Sequence, residues 1–169
     1  MFDYQDKKIF FAQVTGKMEE FAAEEISELG AKNITPAYKG LYFHAEIKDI
    51  YRIVYNSRII SRVLAPLTSF YCVNAKSLTK EAMKISWEDI FSPEKTFAIT
   101  ASVANSKITN SLYASQCLKD GIADYFREKT GKRPNVETDN PDVRINLYIF
   151  EDRAVISLDL SGESLHKRG

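Results

Sequence analysis

The sequence predicts an α+β fold made of two successive units. Several runs place an apolar residue at every second position, as a strand with one buried face does, and these runs alternate with segments of helical spacing. A length of 169 residues suits one domain or two small ones. Residues 1–65 are expected to form the first unit and residues 66–165 the second, with a boundary near residues 64–67.

The first unit follows from apolar spacing and from its turn residues. An apolar run that stops before Thr15-Gly16 predicts the opening strand, and Gly30 stands where the C-cap of the first helix is expected. Asp49 is positioned to cap the second helix. The predicted elements are a strand at 9–14, a helix around 18–29, strands at 33–38 and 41–47, a helix from residue 49 and a strand at 59–63. Their order, β-α-β-β-α-β, is the ferredoxin-like arrangement.

The second unit is predicted as an α/β domain that begins with a connection at Pro66 and ends in a β-hairpin. Asn74 can cap its first helix, and Gly131 with Pro134 ends its longest helix. The predicted elements are an extended run at 67–73, helices around 74–85, 87–91 and 111–129, and strands at 97–103, 143–149 and 154–160. Residues 151–153 form a link short enough to make the last two strands a hairpin.

Charge and composition exclude several classes of protein. Lys plus Arg number 23, as do Asp plus Glu, so the formal net charge is zero and charge alone does not predict nucleic-acid binding. Two cysteines and two histidines are too few for a disulfide scaffold or a His-rich metal site. No stretch approaches the ~20 apolar residues of a membrane span, and the start has no signal-peptide pattern. We therefore expect a cytoplasmic protein with no membrane partner.

One loop concentrates the kinds of group that bind phosphate. Hydroxyl, amide and lysine side chains crowd just before the longest helix, whose first N–H groups and positive dipole end attract anions. The candidate contacts are Ser106, Lys107, Thr109, Asn110, Lys119 and Arg144. The alternative is that Asn110 is only a helix cap and that the lysines form a solvated face. On the residues alone, both interpretations stay open.

Five segments of the chain carry a family resemblance. They read NSKITNSLYA at 105–114, LKDGI at 118–122, RPNV at 133–136, PDVRIN at 141–146 and LDLSGESLHKRG at 158–169. Together they resemble the THUMP region of bacterial RNA methyltransferases, in particular the RlmL-type ribosomal large-subunit guanine-N2 methyltransferases, a family often labelled N6-adenine DNA methylases. That family also carries a ferredoxin-like domain before the THUMP domain, so the resemblance covers nearly the whole chain. Residues 1–65 match by architecture more than by motif.

The resemblance implies an RNA-binding module, because the family keeps its chemistry in a separate domain. An S-adenosylmethionine-dependent methyltransferase domain begins there shortly after the element that reads LHKRG in this chain. Residues 166–169 are therefore expected to begin the linker to such a domain. The implied partners are structured RNA, with 23S ribosomal RNA expected, and the methyltransferase domain of the same polypeptide. The RNA-contacting role is carried over to the six candidate residues, and catalytic, cofactor-binding or metal-binding residues are not expected in this chain.

The glycine spacing agrees with a catalytic domain lying elsewhere. A loop that binds a nucleotide or S-adenosylmethionine needs closely spaced glycines after a strand, and no two of the seven glycines have the GxG spacing. Asn140-Pro141-Asp142 predicts a turn rather than a catalytic loop. Two alternatives stay open. One is a regulatory domain of ferredoxin-like fold that binds a small ligand or another protein, and the other is a parent enzyme that modifies DNA.

Overall fold

A computed structural model describes residues 2–161 and divides the chain into two compact units. The first unit is Met1–Leu67 together with Ser157–Gly169, and the second is Thr68–Ile156. Residues 157–161 therefore group with the first unit, whereas residues up to 165 were expected in the second. The predicted domain limits stay predictions, and both the linker at 166–169 and the LHKRG element lie outside the described residues.

The first unit has the predicted ferredoxin-like order. Its elements are α1 (Asp3–Lys7), β1 (Ile9–Val14), α2 (Glu19–Glu28), β2 (Lys32–Ala37), β3 (Gly40–His44), α3 (Ile47–Asn56) and the first part of β4 (Ile60–Tyr71). Its strands lie in the order β2-β3-β1-β4, and the pairs β2–β3, β3–β1 and β1–β4 are antiparallel. The short helix α1 was not predicted.

The core of the first unit forms between one face of this sheet and two helices. On β1 the residues alternate between buried and half-buried positions, and Phe10 and Ala12 face the core. Helix α2 contributes Ile26 and α3 contributes Ile53, both fully buried. The apolar spacing that predicted these helices is therefore the spacing that closes the core.

The helix α3 begins earlier than the sequence predicts. Asp49 was expected to cap it, but the helix starts at Ile47 and the extended residue before it is Glu46. The backbone oxygen of Glu46 accepts the N–H groups of Asp49 and Ile50, which places Asp49 inside the first turn. The strand predicted to reach residue 47 accordingly ends at His44, because Ile47, its last apolar position, is the first residue of the helix.

The predicted connection at Pro66 is wrong. Residues 60–71 form one continuous twelve-residue strand, β4, which starts in the first unit and finishes in the second. Proline cannot donate to a neighbouring strand, which usually confines it to sheet edges and strand starts. The pairing of β4 with β1 ends at Leu64, so Pro66 lies beyond the residues that this pairing uses. Residues 63–67 are all buried, and their burial keeps the strand extended through the proline.

The second unit contains the predicted helices and hairpin. Its elements are the end of β4, α4 (Lys76–Ala82), a 3-10 turn (Trp87–Asp89), β5 (Phe97–Ala104), α5 (Ser111–Thr130), β6 (Val143–Phe150) and the start of β7 (Arg153–Asp159). The strand order is β4-β7-β6-β5, and β5 and β6 run parallel. Asn74 accepts the N–H of Ser77 at 3.0 Å, as its predicted capping role requires. Within residues 2–161, no helix is long and apolar enough to cross a membrane.

Candidate nucleic-acid interface

The loop between β5 and α5 is held by its own short-range contacts. Asn105 adopts a left-handed backbone conformation with φ 50°, which asparagine tolerates better than most residues. The Ser106 Oγ accepts the N–H of Ile108 at 3.1 Å, and the side chain of Ile108 is buried. The exposed residues Lys107 and Thr109 flank this buried anchor, so both of their side chains reach solvent.

Asn110 has the capping role that the sequence left open. Its side-chain Oδ1 accepts the N–H of Tyr113 at 3.0 Å, and its backbone oxygen accepts the N–H of Ala114 at 3.1 Å. The side-chain amide NH₂ is still available as a donor, because the cap uses only the oxygen. A cap satisfies one of the four N–H groups that a helix start leaves without an intrahelical acceptor. Capping and RNA contact are therefore compatible at this residue.

Two exposed apolar side chains at the start of α5 were missed by the sequence interpretation. Leu112 is 67% exposed and Tyr113 is 43% exposed, and both follow the polar loop directly. A hydrogen bond with Cys117, one turn further on, raises the pKa of Tyr113 above its usual value. The available signal was positional, since both residues lie off the apolar stripe formed by Ala114, Leu118 and Ile122.

Lys119 lies apart from the loop. It follows Asn110 by nine residues on α5, which places it roughly 13 Å along the helix axis. Its Nζ forms an ion pair with Asp120 Oδ1 at 3.3 Å. The charge of Lys119 is therefore partly neutralised by its neighbour.

Arg144 lies at the opposite end of the sheet from the loop. It is paired with Ala98 near the start of β5, whereas Ala104, the residue just before the loop, is paired with Phe150. These two pairs are six residues apart, which corresponds to roughly 20 Å along a strand. The guanidinium of Arg144 donates to the backbone oxygen of Asp139 at 3.4 Å. The structure thus groups Ser106, Lys107, Thr109 and Asn110 and leaves Arg144 away from them.

A second basic region occupies the far end of α5. Arg127 pairs with Asp124 at 2.9 Å and Lys132 pairs with Glu94 at 3.1 Å. The Nζ of Lys129 lies 5.8 Å from the centre of the Tyr125 ring. Two of the four basic residues within 127–133 are therefore already paired with a carboxylate of the same unit.

Tyr125 also ties this far end to the 3-10 turn. Its hydroxyl donates to the carboxylate of Glu88. Burial, followed by this contact with Glu88, raises the pKa of Tyr125 to about 12. The same hydrogen bond is the main cause of a lowered pKa at Glu88. The region is thus built as a structural network.

Few side chains among residues 2–161 could serve as metal ligands or as a cysteine nucleophile. No group of three or more His, Cys, Asp or Glu side chains there could hold a metal ion. Cys72 and Cys117 are both free and buried.

Two family models together match most of the chain. The THUMP domain family matches residues 72–159, and the RlmL ferredoxin-like domain matches residues 9–64. The chain is 38% identical to a Ribosomal RNA large subunit methyltransferase K/L of Syntrophotalea carbinolica over 95% of its length, and 40% identical to the Allochromatium vinosum protein of that name over 95%. It spans only 22% of either relative.

A solved structure shows the same fold at lower sequence identity. The chain superposes with a TM-score of 0.75 and 18% identity on a Listeria monocytogenes protein described as a predicted N6-adenine-specific DNA methylase. The match covers 92% of this chain and 41% of that protein.

Proposed function

Because the chain belongs to the THUMP domain family, we propose that it binds structured RNA and holds it for a methyltransferase domain located elsewhere in a longer polypeptide. The observation that carries this proposal is the THUMP match over residues 72–159, which includes the polar loop at 105–110. The names of the relatives support ribosomal RNA as the target class, and 23S ribosomal RNA is the specific target we propose. A cytoplasmic location follows from that substrate.

The methyl-transfer chemistry belongs to the remainder of the parent protein in this proposal. The curated relatives are several times longer than this chain, which leaves room for a catalytic domain. S-adenosylmethionine would supply the methyl group there, and this chain would supply binding energy and orientation. Positioning of this kind lowers a barrier by holding reactants in one geometry before the reaction.

The loop and the first turn of α5 form the RNA-binding surface in our proposal. Lys107 provides a positive charge, and no ion pair within residues 2–161 involves it. The Thr109 hydroxyl and the Asn110 amide can donate to phosphate oxygens, and the helix N-terminus favours the same negative groups. The exposed faces of Leu112 and Tyr113 offer a place for an unpaired base to stack.

A fluorescence anisotropy titration against a 23S ribosomal RNA stem with a single-stranded end tests the proposal. We expect Lys107→Ala to weaken binding and to lower the slope of log affinity against log salt by roughly one, and Lys119→Ala to have a smaller effect because Lys119 lies apart from the loop beside Asp120. The matched control is Lys48→Ala, which removes an exposed lysine from the first unit.

Two outcomes contradict the proposal. In the first, Lys107→Ala changes neither the affinity nor the salt slope, which means that the proposed surface is wrong. In the second, the wild-type chain binds no RNA but responds in a thermal-shift screen to amino acids or nucleotides. That result favours the small-ligand alternative.

A further inference from the structure

The last strand of the chain, β7, ends inside the first unit. It starts at Arg153 in the second unit, but from Ser157 onwards its residues belong with the first unit. The N–H of Leu160 donates to the backbone oxygen of Val63 at 2.8 Å. Leu158 and Leu160 pack against the first-unit core. Residues 157–160, at the end of the segment that matches the THUMP family, are therefore attached to the ferredoxin-like unit.

A nearly buried carboxylate secures this attachment. Asp159 Oδ2 accepts from Arg62 Nη1 at 2.7 Å, and the Asp159 side chain is only 3% exposed. The other oxygen, Oδ1, accepts the N–H of Ser161 at 2.9 Å and also accepts a hydrogen bond from the Ser161 hydroxyl. One carboxylate thus joins β4 on one side to the residue that follows β7 on the other.

The two carboxylate oxygens of Asp159 bind different partners, so each fixes a different part of the chain. Charged hydrogen bonds of this kind are stronger than neutral ones, and a buried carboxylate is costly to leave without its partner. The Asp159 contact to Arg62 fixes the position of the strand end, and the contacts to Ser161 hold the next described residues against it. A second ion pair among the described residues of this unit, Lys8 with Glu46, has both side chains about 60% exposed and lacks this constraint.

We propose that Asp159 is a positioning residue that, through Arg62 and Ser161, fixes where the polypeptide leaves the ferredoxin-like unit toward the methyltransferase domain. The inference rests on the proposed function for the identity of that domain. It assigns the first unit a role of its own, which is to serve as the rigid base from which the catalytic part is held. RNA binding is left to the loop at 105–110.

The test uses three variants of this joint in the full-length parent protein. Asp159→Asn and Arg62→Ala remove the charge pair, whereas Arg62→Lys keeps a positive charge that can still reach the carboxylate. Glu46→Gln, which breaks the exposed ion pair of the same unit, is the matched control.

Two measurements are made on each variant. In methyl transfer to 23S ribosomal RNA, we expect Asp159→Asn and Arg62→Ala to lower kcat about tenfold while the KM for RNA stays within about twofold. Arg62→Lys and Glu46→Gln should remain close to wild type. In amide hydrogen exchange, the amide of Leu160 should exchange about tenfold faster in the two disruptive variants, with the amide of Phe10 unchanged.

Each contrary result has a defined meaning. Unchanged exchange at Leu160, or faster exchange with an unaltered kcat, overturns the positioning role. A parallel loss of RNA affinity and of protection at Phe10 shows a merely structural residue and overturns it as well. A wild-type parent that methylates no RNA refutes the proposed function, and the exchange at Leu160 alone then decides whether the joint exists.

Discussion

The two ends of α5 carry different kinds of polar surface. At its start, the loop holds a single lysine, Lys107, beside hydroxyl and amide groups and two exposed apolar side chains. At its end, four basic residues gather within residues 127–133, but Arg127 and Lys132 are each paired with a carboxylate. Half of the basic residues at the far end are thus already in ion pairs, whereas the single lysine of the loop is in none within residues 2–161. Unpaired donors and an open apolar face locate the interface better than the number of basic residues does.

The largest expected effect on RNA affinity comes from Tyr113, an exposed aromatic residue at the start of α5. Tyr113→Ala should weaken binding of an RNA with an unpaired end roughly thirtyfold, because a stacking surface for a base is lost. Tyr113→Phe keeps the ring and loses only the contact with Cys117, so it should bind almost as wild type. Anisotropy titrations with a single-stranded overhang and with a blunt duplex measure the difference. Equal losses on both RNAs would argue against stacking.

Charge reversal compares the two ends directly. Lys107→Glu should lower RNA affinity roughly tenfold, since it turns an available positive charge into a repulsive one. Lys132→Glu should lower it less than about threefold, because Lys132 already faces Glu94. Titrations at two salt concentrations measure both variants. The comparison fails when Lys132→Glu is the more damaging change.

The cap of α5 should have a smaller effect on binding than on stability. Asn110→Ala removes the acceptor for the N–H of Tyr113 and should lower the free energy of unfolding by about 1 kcal/mol. Affinity for RNA should fall about threefold as the first turn loosens. Urea denaturation and anisotropy give the two values. Asn110→Asp should retain the cap, and a stability loss equal to that of alanine would contradict the assignment.

The smallest effect on RNA binding is expected at the far end of the helix. Tyr125→Phe should leave affinity within about twofold of wild type, because the residue belongs to a structural network. Its effect should appear in the pH dependence of stability. The folded pKa of Tyr125 is about 12 against a usual 10.0, so the stability it contributes is present below pH 10 and is lost as pH rises toward 12.

Glu88 has the opposite effect on the pH dependence of stability, at acidic pH. Its folded pKa is lowered, so its contribution is present above the usual value of 4.5 and is lost as pH falls through the folded pKa. Tyr125→Phe should flatten the stability curve on both sides, and thermal melts across pH measure this. A curve identical to that of wild type would show that the hydrogen bond contributes nothing.

Most helices and strands were predictable because the spacing of apolar residues along the sequence indicates them. The alternation on β1 and the apolar stripe of α5 depend on neighbouring residues, and Gly131 ends α5 in the left-handed conformation expected of a C-cap. The continuous strand through Pro66 was not predictable in the same way. A local rule places proline at a break, whereas here the burial of residues 63–67 overrides it.

The candidate site also has a part that local sequence predicts and a part that depends on tertiary packing. Ser106, Lys107, Thr109 and Asn110 lie together as expected, because contiguous residues in a loop stay together whatever the fold, and their contact with RNA stays a prediction. Arg144 was included because it lies in a segment that carries the family resemblance. Its distance from the loop is set by the register of β6 against β5, which sequence spacing does not give. Leu112 and Tyr113 were overlooked because their exposure depends on which side of α5 packs on the sheet.

Ultraviolet crosslinking of the 169-residue chain to 23S ribosomal RNA, with the crosslinked residues identified by mass spectrometry, tests the central claim most directly. We expect crosslinks at Tyr113 and in the peptide that contains residues 105–110, reduced by Lys107→Glu and unaffected by Lys132→Glu. Crosslinks confined to residues 127–133, or to the glutamate-rich helix α2, would contradict the assignment of the RNA-binding surface to the loop end of α5.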